Sequence, residues 1–530
     1  MAHFGTGDRQ RQVTLQPRST EHDEQADDEQ ADDEHLGTRI PRAPGAASGP
    51  RIVMVCTSGV FADPGLVPAF WNRPAHSLDS GVQGHLYTRP GDVFVVHVPV
   101  TDAAGEPGED TGAVTQLLAT LDLNAALWAR YTGLRLATSA DRIVIAADRP
   151  PRAGTVLPPT VRWRVGGLLS AAATEFRSGR VDLLAGVLDR ATLAALVLDR
   201  SDNPDLAHLD DLADLAERAT VTSVLMNKNA AMSLLWRAEV ACADTFAFTA
   251  ASWAATTATA TTATTSAPPG ALPGPGRYVF KPAGGAAGVG VFGASAPGST
   301  LPELVDHVTA LASAGTLPQQ FQLQRFLPGP TFGACAVLGP AGARVVEVHR
   351  QRFDEAGRFA GARWSAQICA DHADTAAGIA AGIGRLPGLP VRGLICWDMI
   401  AGRVIEVNPR LTASSPIAHL LSREPQIAAH LGAGFRLRQI DLNTSVTVPT
   451  HWLTVPTRAG SGSASTGSGL PRERLIGLIG LIDALWHDRR VLALPQGLTA
   501  RAPCRFVFVN DDEMGTAQRI FLAALATGAG

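Results

Sequence analysis

Two lysines stand in a chain of 530 residues that otherwise writes its cations as arginine, 43 of them. One, Lys281, precedes a run of glycines in YVFKPAGGAAGVGVFG (278–293); the other, Lys228, lies in LMNKNAAM. An ammonium is a compact point charge, whereas a guanidinium is a wide planar fork, so a lysine kept where arginine is the rule marks a place that needs the smaller cation. Further on, GLICWDMIAGRVIEVNPRL (393–411) sets Asp398, Glu406 and Asn408 among apolar residues. These are hard oxygen donors of the kind that hold Mg²⁺ beside phosphates.

Gly288, Gly290 and Gly293 satisfy G-x-G-x-x-G, but Pro297 and Gly298 follow where that fingerprint needs a helix, which excludes a dinucleotide site. A P-loop is excluded as well, because its lysine follows the glycines and is itself followed by Ser or Thr. The order here implies a strand ending at Lys281 and Pro282, a loop Ala283–Val289 containing Gly284, Gly285 and Gly288, and a return strand through Gly290. Flexible glycines let backbone N–H groups close over phosphates while the strand lysine supplies a fixed charge. A purely structural glycine hairpin fits the same residues.

In the carboxylate segment two apolar runs flank Ala401-Gly402, which predicts a hairpin. Glu406 and Asn408 are two apart and share a face. Asp398 joins them only if the connection holds an odd number of residues, since a slip of one inverts every side chain. Three-residue loops at 400–402 or 401–403 meet that condition, and then place Asp398 opposite or diagonal to Glu406. Converging oxygens on otherwise apolar strands favour a metal site over a solvent-facing polar edge.

Lysine strand, glycine loop, the later LQRFLPG and then D…E-x-N-P-R, in this order, resemble the ATP-grasp superfamily of carboxylate–amine ligases over residues 216–445. The resemblance implies that Lys228 and Lys281 contact nucleotide. It also implies that Gln324, Arg325, Phe326 and Leu327 form an adenine-binding segment between two lobes, about 222–323 and 324–445. Asp398, Glu406 and Asn408 would hold Mg²⁺, with Mn²⁺ as an alternative, and Arg410 would stabilise the phosphoryl group or an oxyanion. Gln324 stands where the family usually has Glu; its amide oxygen can still accept from adenine N6. Thr331 stands where a ribose-binding acid is frequent. The layout, with a large domain before the core, is similar to pre-ATP-grasp peptide ligases of the pheganomycin type.

The activity so implied is ATP-dependent ligation of a small-molecule carboxylate to an amine, amino acids or peptides, through an acyl phosphate. Small-molecule phosphorylation, or nucleotide binding without turnover, would use the same motifs. In VEVHRQRF (346–353), Arg350 and Arg352 share one strand face and His349 takes the other. The two arginines suit a substrate carboxylate or the γ-phosphate, and equally a solvated strand. Arg363, Trp364 and His349 as a general base are weaker candidates.

The elements that must position these residues make an α/β and α+β multidomain chain. Residues 1–50, with ten acids against five arginines and a tandem EQADD, predict a disordered tail. Strands within 51–59, 91–100 and 141–148, with helical patterns at 113–130 and 205–218, predict an α/β, pre-ATP-grasp-like domain over 51–215. The core at 216–445 opens with a helix at 227–240 and an Ala/Thr/Pro-rich loop at 251–276. Strands follow around 278–293, 320–338 and 344–352, then a helix at 372–385 and the hairpin 394–407. Residues 446–530 read as a linker, TRAGSGSASTGSGLP, and a C-terminal extension with a helix at 472–487 and a strand at 505–510.

Composition narrows the function classes. The net charge is −4 and no basic stripe is present, which argues against a nucleic-acid partner. Six scattered cysteines without a C-x-x-C pair suit a reducing cytoplasm. No signal sequence or apolar span predicts a membrane association. A homo-oligomer stays open.

Overall fold

Strands in this chain are built from short apolar runs, and among the described residues they assemble into three sheets of different character. The structure, a computed structural model, describes residues 51–54, 84–97, 110–147, 150–151, 156–165, 171–172, 182–185, 193–194, 211–260, 273–285, 290–294, 297–353, 359–412, 437–441, 481–482, 492–497 and 505–509. All of them belong to one compact unit, Pro41–Gly530. The predicted tail at 1–50, Gly288, the linker 456–470 and most of the helix at 472–487 lie outside the described residues.

The first sheet joins β1 (Arg51–Met54), β2 (Val93–His97), β3 (Arg142–Ala147), β4 (Val161–Val165) and β5 (Asp182–Ala185), in the order β4-β3-β2-β1-β5. Every pairing is parallel, and runs such as IVIAA are buried along their length, as parallel strands require. Helix α1 (Asp110–Thr132) lays Val114, Leu117, Leu118 and Leu121 on Phe94, Ile143 and Ile145. The expected α/β layering is therefore present. The division expected at 215/216 falls inside α2 (Asp211–Leu225), which leads directly into α3 (Lys228–Arg237).

The second sheet is antiparallel, in the order β6-β9-β7-β8, from β6 (Thr245–Thr249), β7 (Arg277–Pro282), β8 (Ser299–Thr300) and β9 (Gln320–Arg325). One face carries Phe248, Tyr278, Phe280, Phe321 and Leu323 against Trp253 of α4 (Ala250–Ala260) and Leu304 and Val308 of α5 (Leu301–Ser313). Alternation places Lys281, Gln322 and Gln324 on the other face. Helix α4 corrects the loop expected from 251. Its alanines favour helix, Thr249 and Ser252 cap its start reciprocally, and Trp253 anchors it by ring contacts with Phe248 and Phe321. Among the described residues, the return strand expected through Gly290 is a single bridge, Phe280 with Phe292.

The third sheet has eight strands in the order β14-β13-β10-β11-β12-β15-β17-β16. They are β10 (Thr331–Gly339), β11 (Gly342–Phe353), β12 (Phe359–Trp364), β13 (Gly393–Ile400), β14 (Arg403–Asn408), β15 (Leu437–Asp441), β16 (Leu492–Gly497) and β17 (Arg505–Val509). Strands from the C-terminal segment thus complete the sheet that carries the carboxylates. Helix α6 (Ala366–Ile383) begins six residues before the expected 372, where the Ser365 side chain accepts from Ile368 N–H and caps it. Ala376, Ile379, Ala380 and Ile383 bury against Ala334, Val348 and Trp397 on one face of the sheet. The opposite face is free to carry polar side chains.

Candidate functional site

The lysine residues are fixed by local structure first. Asn227 caps α3, accepting from Ala230 N–H, so Lys228 occupies the first helical position. Its backbone N–H donates to Ala283 O at 2.8 Å and its Nζ donates to Gly285 O at 2.7 Å. Gly285 has φ of 109°, a conformation other residues avoid, and it turns that carbonyl onto the lysine. The helix start and the glycine loop are thereby stitched together. Gly284 is half-buried beside it, and Gly290 (φ 72°) lies on the far side of the loop.

The β13–β14 hairpin departs from expectation in an instructive way. Ile400 pairs with Arg403, so the connection is the two-residue turn Ala401-Gly402, not a three-residue loop. Both residues have positive φ, 49° and 73°, the conformation whose twist matches that of the flanking strands. The odd residue sits elsewhere: pairing shifts between Asp398–Glu406 and Met399–Val404, leaving Ile405 as a bulge. The bulge restores the parity the loop lacks, and Asp398 stands directly opposite Glu406. Asn408 Nδ2 donates to Asp398 Oδ2 at 3.2 Å, and Gln351 Nε2 donates to Asp398 Oδ1 at 2.5 Å.

Bulging also frees the Ile405 carbonyl from the ladder, and the second sheet uses it. Lys281 Nζ donates to Ile405 O at 3.3 Å, and Gln324 Nε2 donates to the same oxygen at 3.1 Å. Lys281 also donates to Gln324 Oε1 at 2.8 Å. Lys228 Nζ lies 3.6 Å from Glu406 Oε1. Lys228, Lys281, Gln324, Asp398, Glu406 and Asn408, from five elements, therefore meet at one bulge.

Electrostatics of the cluster are tightly balanced. Burial, then the neighbouring Glu406, pushes Asp398 up to about 6. Burial also pushes Glu406 up, but Lys228, Lys281 and Arg410 together pull it below the usual carboxylate value. Burial lowers Lys281 and Arg410, with Glu406 opposing in both cases. Two carboxylates in direct register, one destabilised as an anion by the other, fit a divalent cation between them. Among the described residues no group of three His, Cys, Asp or Glu is placed to hold a metal ion. A cation here would draw on Asp398, Glu406 and the Asn408 amide oxygen, with ligand oxygens or water completing its shell.

The remaining expected residues divide. Arg410 lies within electrostatic reach of Glu406 and Asp398. Gln324 has its amide oxygen taken by Lys281, so it is a bridge between lysine and bulge and not an open acceptor. Arg325 and Phe326 spend their backbone N–H groups on Asp244 O and Arg277 O, and the Phe326 ring packs over Gly298; Leu327 is half-buried after them. Arg350 and Arg352 are exposed on the face opposite Asp398 and are not brought into the cluster. Arg350 pairs with Arg363 across β11 and β12.

The site face also holds Gly333, Glu347, His349 and Gln351. Gly333 is in register with Asp398 on one side and His349 on the other. Glu347, His349 and Gln351 alternate along β11 on this face, and Trp364 Nε1 donates to Glu347 Oε2 at 2.6 Å. The E-x-H-x-Q spacing was the available signal; which face it joined depended on the pairing of β11 with β10.

No protein-family model matches the chain, and no curated protein matches it. Among solved structures, it is similar to an N5-carboxyaminoimidazole ribonucleotide synthetase in its ADP complex, at 12% identity and a TM-score of 0.43, over 83% of this chain and 99% of that one. An L-amino acid ligase from Bacillus licheniformis aligns at 13% identity and a TM-score of 0.39, over 73% and 91%. The biotin carboxylase domain of a Hydrogenobacter thermophilus 2-oxoglutarate carboxylase aligns at 12% and 0.36, over 74% and 83%. The case for this chain's chemistry rests on its own side chains.

Proposed function

We propose that the chain is an ATP-dependent carboxylate–amine ligase. The observation that carries this reading is the convergence of Lys228, Lys281, Asp398, Glu406 and Asn408 on the bulged hairpin. Two compact cations face two carboxylates and an amide, the composition that a nucleoside triphosphate with its divalent cation requires.

Lys228 and Lys281 would exchange their present carbonyl and carboxylate partners for phosphate oxygens. Asp398, Glu406 and Asn408 would hold Mg²⁺, which when bound neutralises charge on the transferring phosphoryl group. Arg410 would stabilise charge on the phosphoryl or acyl oxygen. A substrate carboxylate attacks the γ-phosphorus, giving acyl phosphate and ADP; an amine then attacks the acyl carbon and phosphate leaves. The Gly284–Gly285 end of the glycine loop, tied to Lys228, would lie beside the phosphates. The resemblance to pre-ATP-grasp peptide ligases supports amino acids or short peptides as substrates, in secondary metabolism.

The test is ADP and phosphate release from MgATP with amino acids and dipeptides supplied singly and in pairs, products being weighed by mass spectrometry. Release that needs an acid and an amine, with a new amide, supports ligation. Release with one substrate and a phosphorylated product replaces it by kinase activity; bound nucleotide without turnover leaves a scaffold.

A further inference from the structure

An amine that attacks an acyl phosphate must shed a proton, and none of the groups assigned above is free to take it. On the same sheet face, across Gly333 from Asp398, stands His349, 1% exposed. Its Nδ1 lies 2.9 Å from Glu347 Oε2, the oxygen that also accepts from Trp364 Nε1. A carboxylate only accepts, so Nδ1 carries the hydrogen, and in the neutral ring the lone pair falls on Nε2. That nitrogen is buried and has no hydrogen-bond partner. An unpartnered buried polar atom costs the fold its hydration, and among such atoms of the described residues this one lies on the strand face that carries Asp398.

The bare backbone of Gly333 lets Nε2 lie against the strand, with the Gln351 amide over the same place. A Cβ added at Gly333 would collide with His349 Nε2 and would lie 2.9 Å from Gln351 Nε2. Glycine at 333 therefore lets the ring nitrogen come over the strand that separates it from Asp398. Trp364 packs beside the ring at a tilt of 39°, with centroids 5.0 Å apart. Gln351, whose Nε2 donates to Asp398 Oδ1, lies over the same glycine.

We infer that His349 Nε2 is the proton acceptor for the amine substrate, with Glu347 and Trp364 as its positioning residues. The inference rests on the ligase reading and names the amine side of that site. In the step, the nitrogen lone pair forms the C–N bond to the acyl carbon, one N–H proton passes to Nε2, and the C–O bond to phosphate breaks with its electron pair leaving on phosphate. The Nδ1–H bond to Glu347 steadies the imidazolium so formed, as in other carboxylate-oriented histidine bases. Gln351 must swing aside for the amine to arrive.

The test separates the two half-reactions in the full-length protein. Acyl phosphate is trapped with hydroxylamine, which is unprotonated at neutral pH and needs little base assistance, and amide formation is followed with amino acids as the amine. With MgATP and each amino acid as the acid, His349→Gln is expected to keep hydroxamate formation comparable to the unaltered protein. Its amide formation should fall about 100-fold or more, the usual worth of a general base. Gly333→Ala, which displaces the ring and removes no reactive group, should show the same split. Equal loss of both products, or amide formation at the original rate, overturns the inference. Absence of ADP and hydroxamate in the unaltered protein overturns the ligase reading, and this one with it.

Discussion

Arg51 and Asp92 beside the parallel sheet, and the lysine–carboxylate cluster on the antiparallel ones, set buried cations against carboxylates to opposite ends. Arg51 Nη2 lies 2.7 Å from Asp92 Oδ2 and 2.6 Å from Tyr87 O, while Arg51 N and Arg89 N also donate to Asp92. Charge meets charge, every lone pair is spoken for, and no surface is left for a ligand. At Ile405 the same chemistry is left open. Lysines lean on carbonyls and a glutamine, and two carboxylates stand in register. A closed ion pair ties elements together, whereas a crowded one would, on the proposed reading, take a counter-charge from a ligand.

That contrast can be broken from either side. Asp92→Ala strands a buried guanidinium and is expected to cost about 3–5 kcal/mol of stability, read by denaturant unfolding, without selective effect on nucleotide binding. Glu406→Gln is expected to lower MgATP turnover about 100- to 1000-fold while the protein stays folded; full turnover would remove the metal assignment. Lys281→Arg keeps the charge but substitutes a fork for a point, and turnover should fall about tenfold. An unchanged rate would mean that the retained lysine carries no phosphate.

The smallest effects are in pH dependence, where the two regions pull against each other. His85, in the segment Gly84–Tyr87, donates through Nε2 to Ala137 O and accepts at Nδ1 from Asn124, and burial pushes it down to about 4. The unfolded chain then binds the extra proton, so its contribution rises with pH from about 4 to 6.5 and is complete above that. Asp398 is pushed up to about 6 from 3.8, so the folded chain holds the extra proton and stability falls as pH rises through that window. Asp398→Asn should therefore stabilise the ligand-free hairpin above pH 6 while abolishing turnover. Hydrogen exchange at β13–β14 and at β2–α1, corrected for intrinsic rates, should show slopes of opposite sign; slopes of one sign would refute the contrast.

Much of the site could be read along the chain. Lys228, Lys281, Asp398, Glu406 and Asn408 were identifiable because residue type, scarcity and local spacing are properties of single segments. Misreadings came from non-local terms. The Ala/Thr segment looked like a loop until Trp253 found the aromatic face of β6 and β9. Arg350 and Arg352 looked like ligand forks, yet their shared face is the one turned from Asp398. His349, a weaker candidate in the sequence, gained its place from Gly333.

Sequence alone determined which charges exist, their order, and which neighbours on one strand share a face, since alternation by two is a local rule. It also determined which two cations are lysine in a chain of arginines. Tertiary structure decided the parity across the β13–β14 hairpin, through a bulge at Ile405 that no composition announces. It decided that β10 lies between β11 and β13, bringing His349 over Gly333 toward Asp398, and that C-terminal strands finish the same sheet. Register between strands is set by packing of whole faces, and a shift of one residue would have sent every one of these side chains to the other side.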